Sequence, residues 1–439
     1  MKTRFFSIAL AVLLLAAGVT SLVAADDRPP HYETTLINLG NGLTAQRAVI
    51  SGPPQPPPGS QRAPVSPATE ATAASRTLAV PAYAWSFGCS ATSGAMIAAY
   101  YDRSGWPNIY TGPTGGGLMP LDSSGWGTWK DGAGDTYAQC PLTASRNGLD
   151  GRSTRGSIDD YWVEYGSSAS DPYITKGWTQ HAYGDAIGDY MKTSQSQYGN
   201  VDGATVFYNW SSSSGPFNCA DMPAYGATDD GSYGRKRFYE ARGYTVTTCY
   251  NQKTSNNGGG FTFAMHKAEI DAGRPVMINL TGHTVVGVGY DDSGSKVYIH
   301  DTWDFDTYSM TWGGSYSGMT MQSVSIVNIA CPAAGTVTNL AIAKVDATSV
   351  QVTWSPVSGA DRYEIWSAAN IPYLTPGSNC ANPAPYTCQT VTGTSLTTAA
   401  LGSTANNYTY VAKAVNACGG ASGTLSNRSG EFEFGLTRP

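Results

Sequence analysis

The chain has 439 residues, only 13% of them charged, and a formal net charge of −6. It carries no basic patch of the kind a nucleic-acid binder needs, which excludes nucleic acid as the expected partner. Its 51 glycines and 27 tyrosines point to many turns and short strands with aromatic packing. Beyond the first 25 residues no apolar stretch is long enough to span a bilayer.

Residues 1–25 place Lys2 and Arg4 before an apolar run from Phe5 to Val23, with small residues through Ala25. This is the pattern of a secretory signal peptide cut after Ala25. Removal of its two cations leaves a charge of about −8, and a soluble extracellular chain with no membrane insertion is expected. Residues 26–79 read as a Pro/Ala/Ser-rich linker or a pro-segment. Within them, 51–75 have almost no large apolar side chains and are expected not to offset their ordering entropy. The preceding HYETTLINLGNGLTAQRAVI reads either as a pro-segment remnant or as a mobile arm.

Cys89 stands immediately before SGAMIAAYYD, which reads as a helix. Unpaired N–H groups and the helix dipole at that end favour a thiolate, so a lowered pKa and a nucleophilic role are expected. In an exported chain with eight cysteines the competing reading is a disulfide. Residues 110–230 are rich in Gly, Tyr and Trp and read either as groove-lining loops or as packed irregular structure. A second helix is expected at Gly234–Arg242, a strand at Tyr244–Cys249, and a third helix in FTFAMHKAEIDAG, ending at Gly273. Three strands follow: VMINL, HTVVGVGY and KVYIHDTW.

A thiolate nucleophile needs a base to take its proton and a third group to fix that base's tautomer. His283 opens one strand and Asp301 lies near the end of the next, with Asp291 to Ser295 as the hairpin turn between them. The midpoint of 283 and 301 falls in that turn, so the two are expected to face each other across an antiparallel ladder. Alternation turns His300 to the other face. Asp304 and Asp306 read as solvated loop acids, and His266, inside the third helix, as exposed. His181, in the segment Gly177 to His181, is the rival base. No C-x-x-C, H-E-x-x-H or close Cys/His cluster is present, so neither metal nor cofactor is expected.

Together, Trp85 to Thr92, Gly273-Arg274-Pro275-Val276, Gly282 to Tyr290 and His300-Asp301 resemble the papain-like cysteine peptidases. They are most similar to the bacterial branch related to the bacteriocin-leader peptidases. The resemblance implies an α+β catalytic domain over residues 80–331, a helical half carrying the cysteine against an antiparallel β half carrying the histidine. It also implies Cys89 as nucleophile, His283 as base and then acid, and Asp301 as the orienting group. The family's usual oxyanion-donating Gln, about six residues before the cysteine, is replaced by Tyr83. Tyr83 or Gln180 is the expected donor in its place.

Residues 335–439 alternate short apolar stretches with turns, an all-β sandwich pattern. Trp354, the Tyr363-Glu364-Ile365 run and the run from Tyr408 to Asn416 resemble fibronectin type III domains. Such a module implies a spacer, or a contact with matrix, wall or polysaccharide. Cys380 is expected to pair with Cys388, and two of Cys140, Cys219 and Cys249 to pair with each other. The reading is a secreted, monomeric cysteine peptidase acting on protein or peptide. Two alternatives are a cell-wall amidase with the same triad and a non-catalytic binding or adhesion protein.

Overall fold

A computed structural model describes residues 31–67, 72 and 74–430, apart from 107–108, 110–117, 131–135, 141, 144–185, 196–197, 201–202, 258–259, 378 and 400–405. The expected signal peptide, His181 and Gln180 lie outside the described residues.

The larger part of the chain is built on a nine-stranded antiparallel sheet, and strands outweigh helices among the described residues. Its main path runs Tyr308–Thr311, Lys296–His300, His283–Asp291, Val276–Leu280, Met319–Ile329, Val246–Lys253 and Phe217–Asn218. Ser75–Thr77 adds to the strand His283–Asp291, and Ser315–Tyr316 to Met319–Ile329. Val276–Leu280 is buried at all five positions and His283–Asp291 at eight of nine. Both faces of these central strands are therefore covered, which explains their near-continuous apolar sequence.

One of those faces is covered by the helix Cys89–Arg103, in which 13 of 15 residues are buried. A helix enclosed on nearly every side needs small or apolar residues all round, as its Ala, Gly and Met content provides. Two side-chain bonds bolt it to the sheet, and a third within the sheet extends the chain. Ser90 Oγ meets Thr284 Oγ1 at 2.8 Å, Thr284 Oγ1 donates to Asn279 Oδ1, and Ser93 Oγ donates to Thr284 O.

The second predicted helix runs Gly231–Ala241, starting earlier than expected because Asp230 caps it. Asp230 Oδ1 accepts from Ser232 N and Tyr233 N, while Oδ2 accepts from Tyr208 N and Asn251 Nδ2. Burial pushes its carboxyl up to about 7 despite those four donors. Asp230→Ala strands buried donors as well as removing a cap. It is expected to cost about 2–4 kcal/mol in urea unfolding, and a loss below about 1 kcal/mol would show that water replaces the carboxylate.

The third helix is Phe263–Asp271, capped by Thr262. His266 within it is fully buried, not exposed: Nε2 bonds Gly289 O at 3.1 Å and the ring stacks on Trp312. This helix packs against the strand His283–Asp291, and His266 faces inward where Gly287 leaves room for its ring.

The segment before residue 51 is a β-hairpin, Tyr32–Gly40 with Leu43–Ile50, zipped onto the strand Thr205–Trp210. The loose-linker expectation for 51–75 is also corrected. Ser51 and Gly52 are buried, Val65 N donates to Thr307 O, and Ser75–Thr77 joins the main sheet. Backbone hydrogen bonds and a buried ion pair hold this stretch in place of the large apolar side chains it lacks.

The C-terminal part is a two-sheet sandwich. Three strands, Ala341–Lys344, Val350–Thr353 and Ser395–Thr398, form one sheet. Four, Thr387–Val391, Ala360–Ala369, Tyr408–Asn416 and Ser429–Gly430, form the other. Trp354, Tyr363, Ile365 and Tyr410 fill the space between them. Disulfides join Cys219 to Cys249, Cys380 to Cys388 and Cys331 to Cys418. The last ties the end of the nine-stranded sheet to the sandwich. Among the described residues no helix is long and apolar enough to cross a membrane.

Candidate active site

Cys89 is the first residue of its helix and is a free thiol, as is Cys140; both are buried. Its position depends on Gly88, whose φ of 144° is open to glycine alone and whose Cβ, if present, would lie 2.6 Å from Gly203 O. Thr92 Oγ1 closes the helix start, donating to Gly88 O and accepting from Ser86 N.

His283 comes from the sheet. The two groups flank a single point: the place a Cβ on Gly52 would take lies 2.1 Å from Cys89 Sγ and 3.1 Å from His283 Nδ1. Sulfur and ring nitrogen are therefore no farther apart than those two distances together.

The ring is fixed from its other side. His283 Nε2 meets the backbone carbonyl of Asp301 at 2.7 Å and Thr302 Oγ1 at 3.3 Å, and Trp303 stacks on the imidazole at 4.2 Å between centroids. A carbonyl only accepts, so Nε2 carries the hydrogen in the neutral ring. Nδ1, which has no hydrogen-bond partner, presents its lone pair.

Asp301 thus meets His283 through its main chain, and the expected carboxylate contact is corrected. The ladder explains why. Asp291 pairs with Lys296, so the hairpin turns between residues 293 and 294 rather than at 292, and even after a bulge between Gly287 and Gly289 moves the register back by one, His283 is aligned with Trp303 rather than Asp301. The Asp301 carboxylate instead accepts from Trp303 N on Oδ1, and from Tyr316 OH and Arg62 on Oδ2. Burial nonetheless raises its pKa, outweighing the Tyr316 and Arg62 contributions. Asp304, expected as a solvated acid, also accepts from Arg62, at 2.7 Å.

The expected lowered pKa of Cys89 is corrected as well. Burial pushes the thiol up to about 11, although Thr284 and Ser90 direct backbone and hydroxyl donors at the sulfur. Burial also lowers His283 to about 3, helped by the positive charge of His31 and Arg62 and opposed by the Asp301 hydrogen bond. In this form the pair is thiol and neutral imidazole.

Tyr83 is not an available oxyanion donor, because its buried hydroxyl donates to Pro120 O at 2.9 Å. His300 lies on the opposite side of its strand, between Pro81 O and Thr307 Oγ1. Sequence reasoning missed Gly52, Arg62 and Trp303. A signal existed for one of them: Arg62 is the only charged residue from 51 to 69.

Next to this site lies a cavity of about 360 Å³, lined by Trp85, Tyr137, Trp303, Phe305, Pro54 and Gln55 among others.

The pattern of the family described as Peptidase_C39 like matches residues 77–323. Comparison with curated proteins finds no match. Among solved structures, a Fn3-like protein from Clostridium thermocellum is similar at 22% identity, covering 24% of this chain and 94% of its own, with a TM-score of 0.17. The protein FN3tt mut is similar at 16% identity over 23% of this chain and 96% of its own, with a TM-score of 0.16. The chicken CNTN1 FN1-FN3 domains are similar at 14% identity over 36% and 53%, with a TM-score of 0.22.

Proposed function

Because the chain belongs to the Peptidase_C39-like family, we propose that it is a secreted cysteine peptidase that cleaves peptide bonds by way of an acyl-enzyme on Cys89. The observation that carries this reading is the convergence of Cys89 Sγ and the partnerless Nδ1 of His283 on one point. His283 Nδ1 takes the thiol proton and the thiolate adds to the substrate carbonyl. The same nitrogen then protonates the departing amine. A water deprotonated at Nδ1 releases the acyl group and restores the thiol.

Asp301 O holds the tautomer that this cycle needs, so the orienting role falls to a backbone carbonyl in the form described here. The N–H of Cys89, at the open end of a buried helix, is the proposed oxyanion donor. A helix carrying the thiol against a sheet carrying the histidine supports a papain-like layout. Three disulfides support an oxidising destination and an extracellular site of action. The sandwich is proposed as a spacer or wall-binding appendage.

The test is digestion of denatured proteins by reduced chain carrying Arg62→Ala, chosen to loosen the segment packed over Cys89, compared with the same chain carrying Cys89→Ala. Complete loss of cleavage in the Cys89→Ala chain is expected. Cleavage that persists would remove Cys89 from the mechanism.

A further inference from the structure

Gly52 fills the space that a substrate carbonyl must enter. Its backbone lies so close to the thiol that even a methyl group at its Cα would overlap Sγ, and its φ of +55° suits a residue without a side chain. On either side the chain is fastened. Ser51 N donates to His31 O, and the Pro53 carbonyl accepts from Trp303 Nε1 at 2.8 Å, the same ring that stacks on His283. Ten residues on, the Arg62 guanidinium enters a pocket made by Asp301, Asp304, Tyr308 and Trp303. It lies 2.7 Å from each carboxylate and 4.3 Å from the Tyr308 centroid. The Asp301 side chain is fully buried, so Arg62 neutralises a carboxylate that solvent does not reach.

The chain on either side of this stretch is anchored to a different sheet. The hairpin ending at Ile50 is zipped to Thr205–Trp210, and Ser75–Thr77 is zipped to the strand that carries His283.

We propose that residues 51–65 are a strap that holds the enzyme inactive in cis, with Gly52 covering the thiol and imidazole and Arg62 acting as its latch on Asp301 and Asp304. This rests on the cysteine-peptidase reading and decides between linker and pro-segment for this stretch: it is a pro-segment that inhibits. The strap acts at two places at once. Gly52 excludes the substrate carbonyl, and Arg62 occupies the carboxylate whose main chain orients the base. Because both ends are tethered, the strap competes at an effective concentration in the millimolar range, which a dilute peptide does not match. Opening the latch frees the acidic-aromatic pocket and lets Gly52 lift from Cys89 without disturbing either anchor.

The experiment is alkylation of full-length chain by iodoacetamide, with the rate at each cysteine followed by mass mapping. It needs no substrate, so it stands apart from the question of peptidase activity. Cys140, the other free and buried thiol, reports general loosening. Arg62→Ala is expected to speed labelling of Cys89 at least tenfold while Cys140 stays slow. Arg62→Lys is expected to restore much of the protection, and a synthetic peptide of residues 50–66 is expected to slow labelling of Arg62→Ala. An unchanged rate at Cys89, or equal acceleration at both cysteines, overturns the strap. Fast labelling confined to Cys89 without any protein cleavage keeps the strap and overturns the peptidase.

Discussion

Taking the chain from pH 6 to pH 5 is expected to lower its stability by roughly 3 kcal/mol, and continued acidification is expected to unfold it. The cause is a set of buried histidines held neutral. Burial lowers His283 to about 3, and His266 and His300 to about 4 each. In the unfolded chain all three protonate near 6.5, so between there and pH 4 the unfolded state binds three protons that the native state refuses. Stability from these groups is complete above 6.5 and is lost as pH falls through the native values. Asp230 opposes them: with its carboxyl at about 7 in the fold, it is already protonated where the unfolded aspartate is not. The net difference is about two protons in that window, at about 1.4 kcal/mol per proton per pH unit. The raised Asp301 adds to the opposition only nearer the carboxylate range. Thermal melts in buffers from pH 7 to 4 measure the slope. A melting temperature that stays level across that range would mean these histidines are charged in the fold.

His283→Ala, introduced into the Arg62→Ala chain, is expected to lower kcat by about 100- to 10,000-fold against a peptide substrate. The prediction follows from Nδ1, which flanks with the thiol the point beside Gly52 and has no competing partner. Without it the thiol must ionise on its own, and in a buried setting that pushes it up to about 11 the thiolate is scarce at neutral pH. The variant's residual rate should therefore keep rising tenfold per pH unit well above neutrality. A variant that retains more than a tenth of the parent activity, with no altered pH profile, would transfer the base to another residue, His181 first.

The sequence made the pieces with strong local signals readable. A thiol at a helix start, a histidine opening a strand and an acid at the end of the next strand pointed to Cys89, His283 and Asp301 as candidates. Which atoms meet was not readable, because it depends on where the hairpin turns: Asp291 pairs with Lys296, which shifts the register away from the one that a turn centred on residue 292 gives. The lowered thiol pKa expected from the helix dipole was overridden by burial, which depends on what the rest of the chain packs around the helix start. The strap itself was hidden by its composition. A Pro-rich stretch with one arginine carries no periodicity, and what fixes it is its neighbours' aromatic rings and carboxylates. His266 failed for a similar reason, since a glycine on a facing strand made room for a ring that a helical pattern alone assigns to solvent.

The Cys331–Cys418 bond bears on how the chain carries force. Between those cysteines lie nearly all the strands of the sandwich, 87 positions along the sequence. Tension applied beyond Cys418 crosses to Cys331 through the sulfur atoms and enters the catalytic sheet directly, leaving the intervening strands out of the load path. When that bond is reduced the same pull unravels the sandwich first, and the tether lengthens by up to roughly 300 Å before the catalytic sheet is strained. An intact disulfide makes the appendage a short, stiff handle; a broken one makes it an extensible leash.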